Sequence, residues 1–450
     1  MNTEEFGIWL DAFINYERNA HKDEDNLKKM RKFAQVFGNP QDDFLSVHIA
    51  GSKGKGSVST MIASILKEAG KKTGLYTSPH VSDFRERMTQ AGSFFDDEAY
   101  SSAYRKIVKG FEEIIKKEPE IDPGWFEIVT VTAFLLFSMQ KTDWAVIETG
   151  MGGRLDMTNI LKPRACILTP IELEHTQYLG DTIEKIAFEK AGIIKQNTPV
   201  FCCKQPDEAL RVFKKRAAEL NAEFFYIPET VKEPVSCNLS KAGLKIDINF
   251  QDSHYFSKLF KRPISANLKL LDCIQAENAA LAACTVKYLF PEMDEAVIER
   301  GLSRAWLPAR FELLSDKPEI IIDGAHTKNS IGLCMSTYTA LVKEKGSLIF
   351  ACAEDKNVKD MVPFFKNHFT KIVVTIPGTA KKSNPDLSYK AVLEALKGSP
   401  CTVEKNEDYE EAIKNEIIEC RKKNRPILIT GSFYLAAEAK RIHTLLDPQA

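Results

Sequence analysis

"HIAGSKGKGSVSTMIASILKEAG", residues 48–70, sets three glycines and two lysines in the seven positions from Gly51 to Ser57 and then turns regular. Val58, Met61, Ile62, Ile65, Leu66 and Ala69 recur at helical spacing, and Gly70 stands where a helix C-cap belongs. Just before it, "LSVHIA" at 45–50 reads as a short β-run. A strand, a glycine loop and a helix in that order let backbone N–H groups close on phosphate oxygens, at a helix N-terminus that already favours anions. Gly51, Ser52, Lys53, Gly54, Lys55, Gly56 and Ser57 are therefore the candidate phosphate binders. Lys55 supplies a point charge for the outer phosphates, and the Ser57 hydroxyl suits Mg²⁺. The strict P-loop spacing fails twice: Ile49 holds its first glycine position, and Gly56 intervenes between Lys55 and Ser57. A flexible basic turn is the alternative, and the flanking strand and helix weigh against it.

Working outward, "TGLYTS" (73–78), "WAVIET" (144–149), "ACILTPI" (165–171) and "PVFCC" (199–203) read as strands with helical stretches between them. Such alternation predicts an α/β fold with a doubly wound, mainly parallel sheet. From 223 to 263 the pattern changes to short alternating segments such as "GLKIDINF", a small β-rich excursion. In "AWLPARFELLSDKPE" the helical pattern breaks at Pro308 and Pro318, and α/β alternation restarts with "EIIIDGAH", "SLIFAC", "KIVVTI" and "PILITGS". These breaks place a domain boundary near 306, with a phosphate-loop domain at 1–305 and a smaller Rossmann-like α/β domain at 306–450.

At 450 residues the chain is long enough for two domains or more. Its net charge of -1 gives no overall pull toward nucleic acid or an acidic membrane surface. The acidic start "MNTEEFGIWLDAF" does not read as a signal peptide, and the run "VTVTAFLLF" is far short of a bilayer span. Ten scattered cysteines, with only Cys202 and Cys203 adjacent, read as reduced thiols of a cytoplasmic enzyme.

Other charged residues fall at strand ends. Glu148 closes an apolar strand before the glycine-rich turn of "DWAVIETGMGGRLDMTN", where a carboxylate faces the ligand crevice of a parallel sheet and suits Mg²⁺. Capping of the following turn is the competing reading. "TPIELEHTQYLGDTIEKIAFEKAGIIK" sets His175 just past another strand end and Lys190 in a helix that stops at Gly192. Arg310 lies at the domain junction, and Asp323 and His326 follow the first strand of the second domain. Taken one at a time, a lone histidine, lysine or arginine is an ordinary surface or core residue.

Taken together and in order, these blocks resemble the folylpolyglutamate synthase and bifunctional dihydrofolate synthase family of Mur ligases. The likeness rests on "NPQDDFLSVHIAGSKGKGS", "GLYTSPHVSDFRERM", "GMGGRLDMTN", "EHTQYLGDTIEKIAFEKAGIIK", "LPARFE", "DGAH" and "GSFYLAAE", spread from about residue 38 to 437. The resemblance implies that Gly54, Lys55 and Ser57 bind ATP phosphates and that Ser78, Glu148 and His175 join Ser57 in holding Mg²⁺. It also implies that Lys190 is carried as a carbamate, that Asn278 of "CIQAENAA" meets the base, and that Arg310, Asp323 and His326 reach the nucleotide from a second domain that closes over it and binds glutamate. Lys53 and Thr327 stand where bacterial members carry asparagine, as in eukaryotic members. Glu174 and Glu172 replace a usual aspartate and glycine, and Ile274 stands where histidine often precedes the glutamine.

The implied activity is ATP-dependent addition of L-glutamate to a reduced folate, by a monomer. Dihydropteroate stays open as a further acceptor. Its pterin would seat near Phe84 or Phe126 rather than against the charged run His21, Lys22, Asp23, Glu24, Asp25 of "NYERNAHKDEDNLKKM". A Mur-type ligase for another carboxylate, or a regulatory NTPase without ligase activity, are the competing functions. A cell-wall Mur ligase would carry a UDP-binding domain ahead of the loop.

Overall fold

Strand β1 (Leu45–Ala50) is buried from Ser46 onward, on both faces, as a central strand of a parallel sheet must be. Around it gather β2 (Thr73–Tyr76), β3 (Met88–Thr89), β4 (Trp144–Glu148), β5 (Ala165–Leu168), β6 (Val200–Cys202) and β7 (Phe224–Tyr226), in the order β3-β2-β4-β1-β5-β6-β7. Every pairing is parallel except β2 with β3. The computed structural model describes residues 1–13, 24–232, 235–252, 255–378 and 382–447. His21, Lys22 and Asp23 lie outside the described residues, as does the side chain of Glu24.

Helices cover both faces of this sheet. On one side the Asp97–Lys117 and Trp125–Met139 helices bury an aromatic-rich cluster with Phe33, Phe44, Tyr76, Tyr104, Phe134 and Phe137. Farther along the same face, the Ile183–Ala191 and Asp207–Glu219 helices close over Cys166, Leu168, Val200 and Cys202, while the opposite face is covered by the Lys55–Glu68 helix. The Lys55–Glu68 helix is buried at every residue from Gly56 to Leu66, packed under the Ile274–Leu289 and Glu295–Arg304 helices. It ends at Ala69, and Gly70 follows at φ +75°, as its sequence position requires.

The chain divides into two compact units. The first holds residues 1–237, 245–268 and 274–306, and the second holds 238–244, 269–273 and 307–450. The chain passes between the units at several places, one of them between Trp306 and Leu307. The β-rich stretch supplies the others: β8 (Ser236–Ser240), β9 (Gly243–Ile248) and β10 (Ile264–Leu268) form a three-stranded sheet, and the β8–β9 turn belongs to the second unit. There Leu239 and Leu271 join that unit's apolar cluster, and Lys241 pairs with Glu319. Alternating polarity announces a hairpin but not which core receives it.

The second unit's sheet runs β11 (Glu312–Asp316), β12 (Glu319–Ile322), β16 (Ile427–Thr430), β13 (Gly346–Phe350), β14 (Phe369–Val374) and β15 (Thr402–Lys405) in spatial order. All pairings are parallel except β11 with β12. The strands read from "EIIIDGAH", "SLIFAC", "KIVVTI" and "PILITGS" are four of these six. No disulfide joins any of the ten cysteines, and no helix among the described residues is long and apolar enough to cross a membrane.

Candidate active site

The register of the first sheet brings three chain segments to one edge. Ile49 pairs with Glu148 and Ala50 with Leu168, so β1, β4 and β5 end side by side at their carboxyl ends. Ligands of open parallel sheets bind at that edge, where the order reverses about the first strand. Residues 51–54 leave β1 there and lead into the Lys55–Glu68 helix.

The loop is held from the β5 side. The Pro170 carbonyl accepts the backbone N–H groups of Ser52 (2.8 Å) and Lys53 (3.3 Å), and the Ser52 hydroxyl donates to the Glu172 carbonyl. Gly54 caps the helix at φ +81°, a left-handed conformation that favours glycine, and a Cβ there would come within 3.0 Å of Asn278 Oδ1. Asn278 is itself buried and donates to Gln275 Oε1. It therefore lies directly against the phosphate loop. Ser57 is buried in the first helical turn.

The lysines converge. Lys55 Nζ donates to the Gly51 carbonyl at 3.0 Å, and Lys190 Nζ donates to the same oxygen at 2.7 Å. Lys190 also meets Glu174 Oε1 at 3.2 Å, while Lys53 Nζ stands 3.9 Å from Glu174 Oε2. Lys190 is only 1 % exposed, so it is not an ordinary surface lysine. Burial by itself would raise the Glu174 carboxyl, but Lys190, Lys55, Lys53 and His175 outweigh it and hold it down at about 2. Glu174, noted in the sequence only as a departure from the family, is the anion around which three cations are arranged.

Glu148 is buried at the end of β4, and its Oε2 accepts the Ser78 backbone N–H at 3.2 Å, which links the ends of β4 and β2. His175 adopts φ +49° and precedes the short Thr176–Leu179 helix. Among the described residues no three His, Cys, Asp or Glu side chains converge into a ready cage for a metal. A cation here would take hard oxygens from Glu148 and the Ser57 and Ser78 hydroxyls, with phosphate and water completing its shell, which is the donor set Mg²⁺ prefers.

Phe126 is buried, its ring filling the space beside Gly150 that a Cβ would occupy. Phe84 is half-buried among Phe6, His80, Tyr104 and Trp125. Of these two candidates, Phe84 has the more accessible ring.

In the second unit Asp323 follows β12 and accepts the N–H groups of Phe311 and Ala325, both at 2.7 Å. Burial lifts its carboxyl to about 6, against the opposing pull of Arg310 and those two N–H groups. The Arg310 guanidinium lies 4.5 Å over the Phe433 ring, and His326 meets the same ring edge-on at 5.7 Å. His326 Nδ1 is 2.8 Å from the Gly324 carbonyl; that oxygen only accepts, so the proton sits on Nδ1. The residues singled out as Arg310, Asp323 and His326 therefore share one neighbourhood, and Phe433 is the platform that the sequence reading left unassigned.

Two family matches cover most of the chain: the Mur ligase middle domain at residues 49–286 and the Mur ligase glutamate ligase domain at 309–433. A dihydrofolate synthase/folylpolyglutamate synthase of Bacillus subtilis (strain 168) is 30% identical over 426 residues, covering 92% of this chain and 94% of its own. The solved folylpolyglutamate synthase of Thermotoga maritima superposes with a TM-score of 0.81 at 27% identity, covering 99% of this chain and 97% of that one. The Mycobacterium tuberculosis folylpolyglutamate synthase complexed with ADP gives a TM-score of 0.86 at 25% identity, with 98% of each chain covered. The chain belongs to the Mur ligase family, within its folylpolyglutamate synthase/dihydrofolate synthase branch.

Proposed function

We propose that the protein is an ATP-dependent ligase that joins L-glutamate to the carboxylate of a reduced folate through an acyl phosphate. The observation that carries this reading is the convergence of Lys55, Lys190, Lys53 and Glu174 around the Gly51 carbonyl, at the sheet edge where phosphate would lie. A carboxylate is a poor electrophile and an amine does not displace its oxygen at neutral pH. Attack by the carboxylate on the γ-phosphorus releases ADP and leaves an acyl phosphate. The glutamate amine then adds to that carbonyl, and the tetrahedral intermediate collapses to an amide and phosphate.

In this reading the backbone of residues 51–57 and the Lys55 ammonium hold the phosphates and offset charge that grows during transfer. Glu148, Ser57, Ser78 and His175 hold Mg²⁺, which when bound screens the phosphate oxygens and orients them. Asn278 serves the base, Arg310, Asp323 and His326 are the second unit's contribution to the nucleotide, and Phe84 and Phe126 are the aromatic candidates for the folate. Lys190 takes up CO₂ as a carbamate in the working enzyme. Its burial beside the loop supports a role there, and the Glu174 carboxylate must then turn away from the new anion. The protein works as a monomer in the cytoplasm.

ADP release measured with ATP and Mg²⁺, with and without folate and glutamate, tests the class. Sustained release that requires both folate and glutamate supports the ligase, whereas equal release without them returns the regulatory NTPase. Running tetrahydrofolate and dihydropteroate side by side decides the acceptor.

A further inference from the structure

The glycine-rich turn after Glu148 has the composition of a second phosphate cradle, but the structure gives it another occupation. Residues 150–159 form a seat for the C-terminal turn of the Ile183–Ala191 helix, the turn that carries Lys190. The Arg154 backbone N–H donates to the Glu189 carbonyl at 2.6 Å, and its guanidinium Nε and Nη2 reach Glu189 Oε1 at 3.0 and 2.9 Å. A Cβ on Gly192 would come within 2.3 Å of the Arg154 Cα, and one on Gly153 within 2.9 Å of the Lys190 carbonyl. Backbone meets backbone here, with no room for side chains between.

Asn159 closes the seat. Its Nδ2 donates to the Arg154 carbonyl (2.9 Å) and to the Gly192 carbonyl (3.1 Å), so one amide ties the turn to the end of the helix. Its Oδ1 and backbone carbonyl accept from Lys195 Nζ at 2.7 and 3.2 Å. Two carbonyls that only accept and an ammonium that only donates fix which end of the amide faces which partner. The start of the turn is pinned independently: Asp156 accepts the N–H groups of Met151 and Thr158 and the Thr158 hydroxyl, which in turn accepts from His48 Nε2 at 2.8 Å.

We propose that Asn159 is a positioning residue for the ligation reaction, acting through the Lys190-bearing turn rather than by touching substrate. The inference rests on the reading of Lys190 as part of the site. The Nζ of Lys190 must reach the Gly51 carbonyl from the far end of a four-carbon stem, so a small shift of its backbone is carried into the phosphate loop. Misplacement by about 1 Å of a group at the reacting centre costs on the order of a hundredfold in rate.

Asn159→Asp keeps the shape and the Lys195 contact but replaces a donor to two carbonyls with an anion that repels them. The expected result is a kcat lowered about a hundredfold and a KM for ATP within about threefold of wild type. The protein still folds, with a lowered melting temperature, since the new anion is buried against two carbonyls. In a double-mutant cycle with Lys190→Ala, measured in single turnovers, the second change adds little to the first. Full multiplicative loss in the cycle, or a kcat near wild type in Asn159→Asp beside an inactive Lys190→Ala, overturns the inference alone. A fully active Lys190→Ala removes the role of Lys190 and the inference with it. Should Asn159→Asp not fold, Glu189→Gln weakens the same seat and is judged by the same cycle.

Discussion

Lys55 carries the sharpest expectation at the scale of a single side chain. Its ammonium reaches back to the Gly51 carbonyl and takes no part in the core, so Lys55→Ala should leave the melting temperature nearly unchanged. Losing one charge aimed at the transferring phosphoryl group should lower kcat by about a hundredfold to a thousandfold. A folded Lys55→Ala with normal turnover would contradict the phosphate-loop assignment. His48, three residues upstream of the loop, makes a different kind of prediction. Complete burial, with Lys195 adding to it, lowers its imidazole from 6.5 to about 3. Below pH 6.5 the unfolded chain takes up a proton that the folded one refuses. The stability tied to neutral His48 is therefore whole above pH 6.5 and lost as pH falls toward 3. Between pH 6.5 and 5 that loss is about 2 kcal/mol, and His48→Gln is free of it. Denaturant titrations should show the gap between wild type and variant narrowing by that amount, and parallel curves would refute the assignment.

At the scale of elements, the strand–loop–helix unit was legible because each part has a local signature: an apolar run, glycines, then helical spacing. Gly54 shows how far such reading goes. The sequence marks it as a loop glycine, and the structure adds the positive φ and the contact with Asn278 from a helix more than two hundred residues away. Gly54→Ala should cost about 1–2 kcal/mol in stability and raise the KM for ATP several-fold. An unchanged melting temperature together with an unchanged KM would show that the loop tolerates a side chain there. The cluster around Glu174 was not legible. Lys53 lies in the loop after β1, Glu174 ahead of the Thr176–Leu179 helix and Lys190 in the helix after that, and no periodicity in the sequence reports an ion pair among them. Asn159 was hidden for the same reason: its partners Arg154 and Gly192 are carbonyls, which leave no trace in side-chain composition. Strand boundaries erred only at their ends, as for 73–78, where β2 stops at Tyr76 and Thr77 turns to pair with Arg87.

At the scale of the whole molecule, the order of blocks carried what no single block could. Glu148, His175, Lys190, Arg310 and Asp323 each have an ordinary reading alone, and the roles proposed for them come from their order of appearance along the chain. The two family matches span the two α/β units in the same order. The central claim is that the acceptor carboxylate attacks ATP before the amine attacks the acceptor. Turnover with a reduced folate labelled with ¹⁸O in its reacting carboxylate measures this directly, by mass analysis of the phosphate released. One labelled oxygen per phosphate is the predicted result, since the bridging oxygen of the acyl phosphate leaves with phosphorus when the amide forms. Phosphate without label, released at the same rate whether or not glutamate is present, would contradict the account.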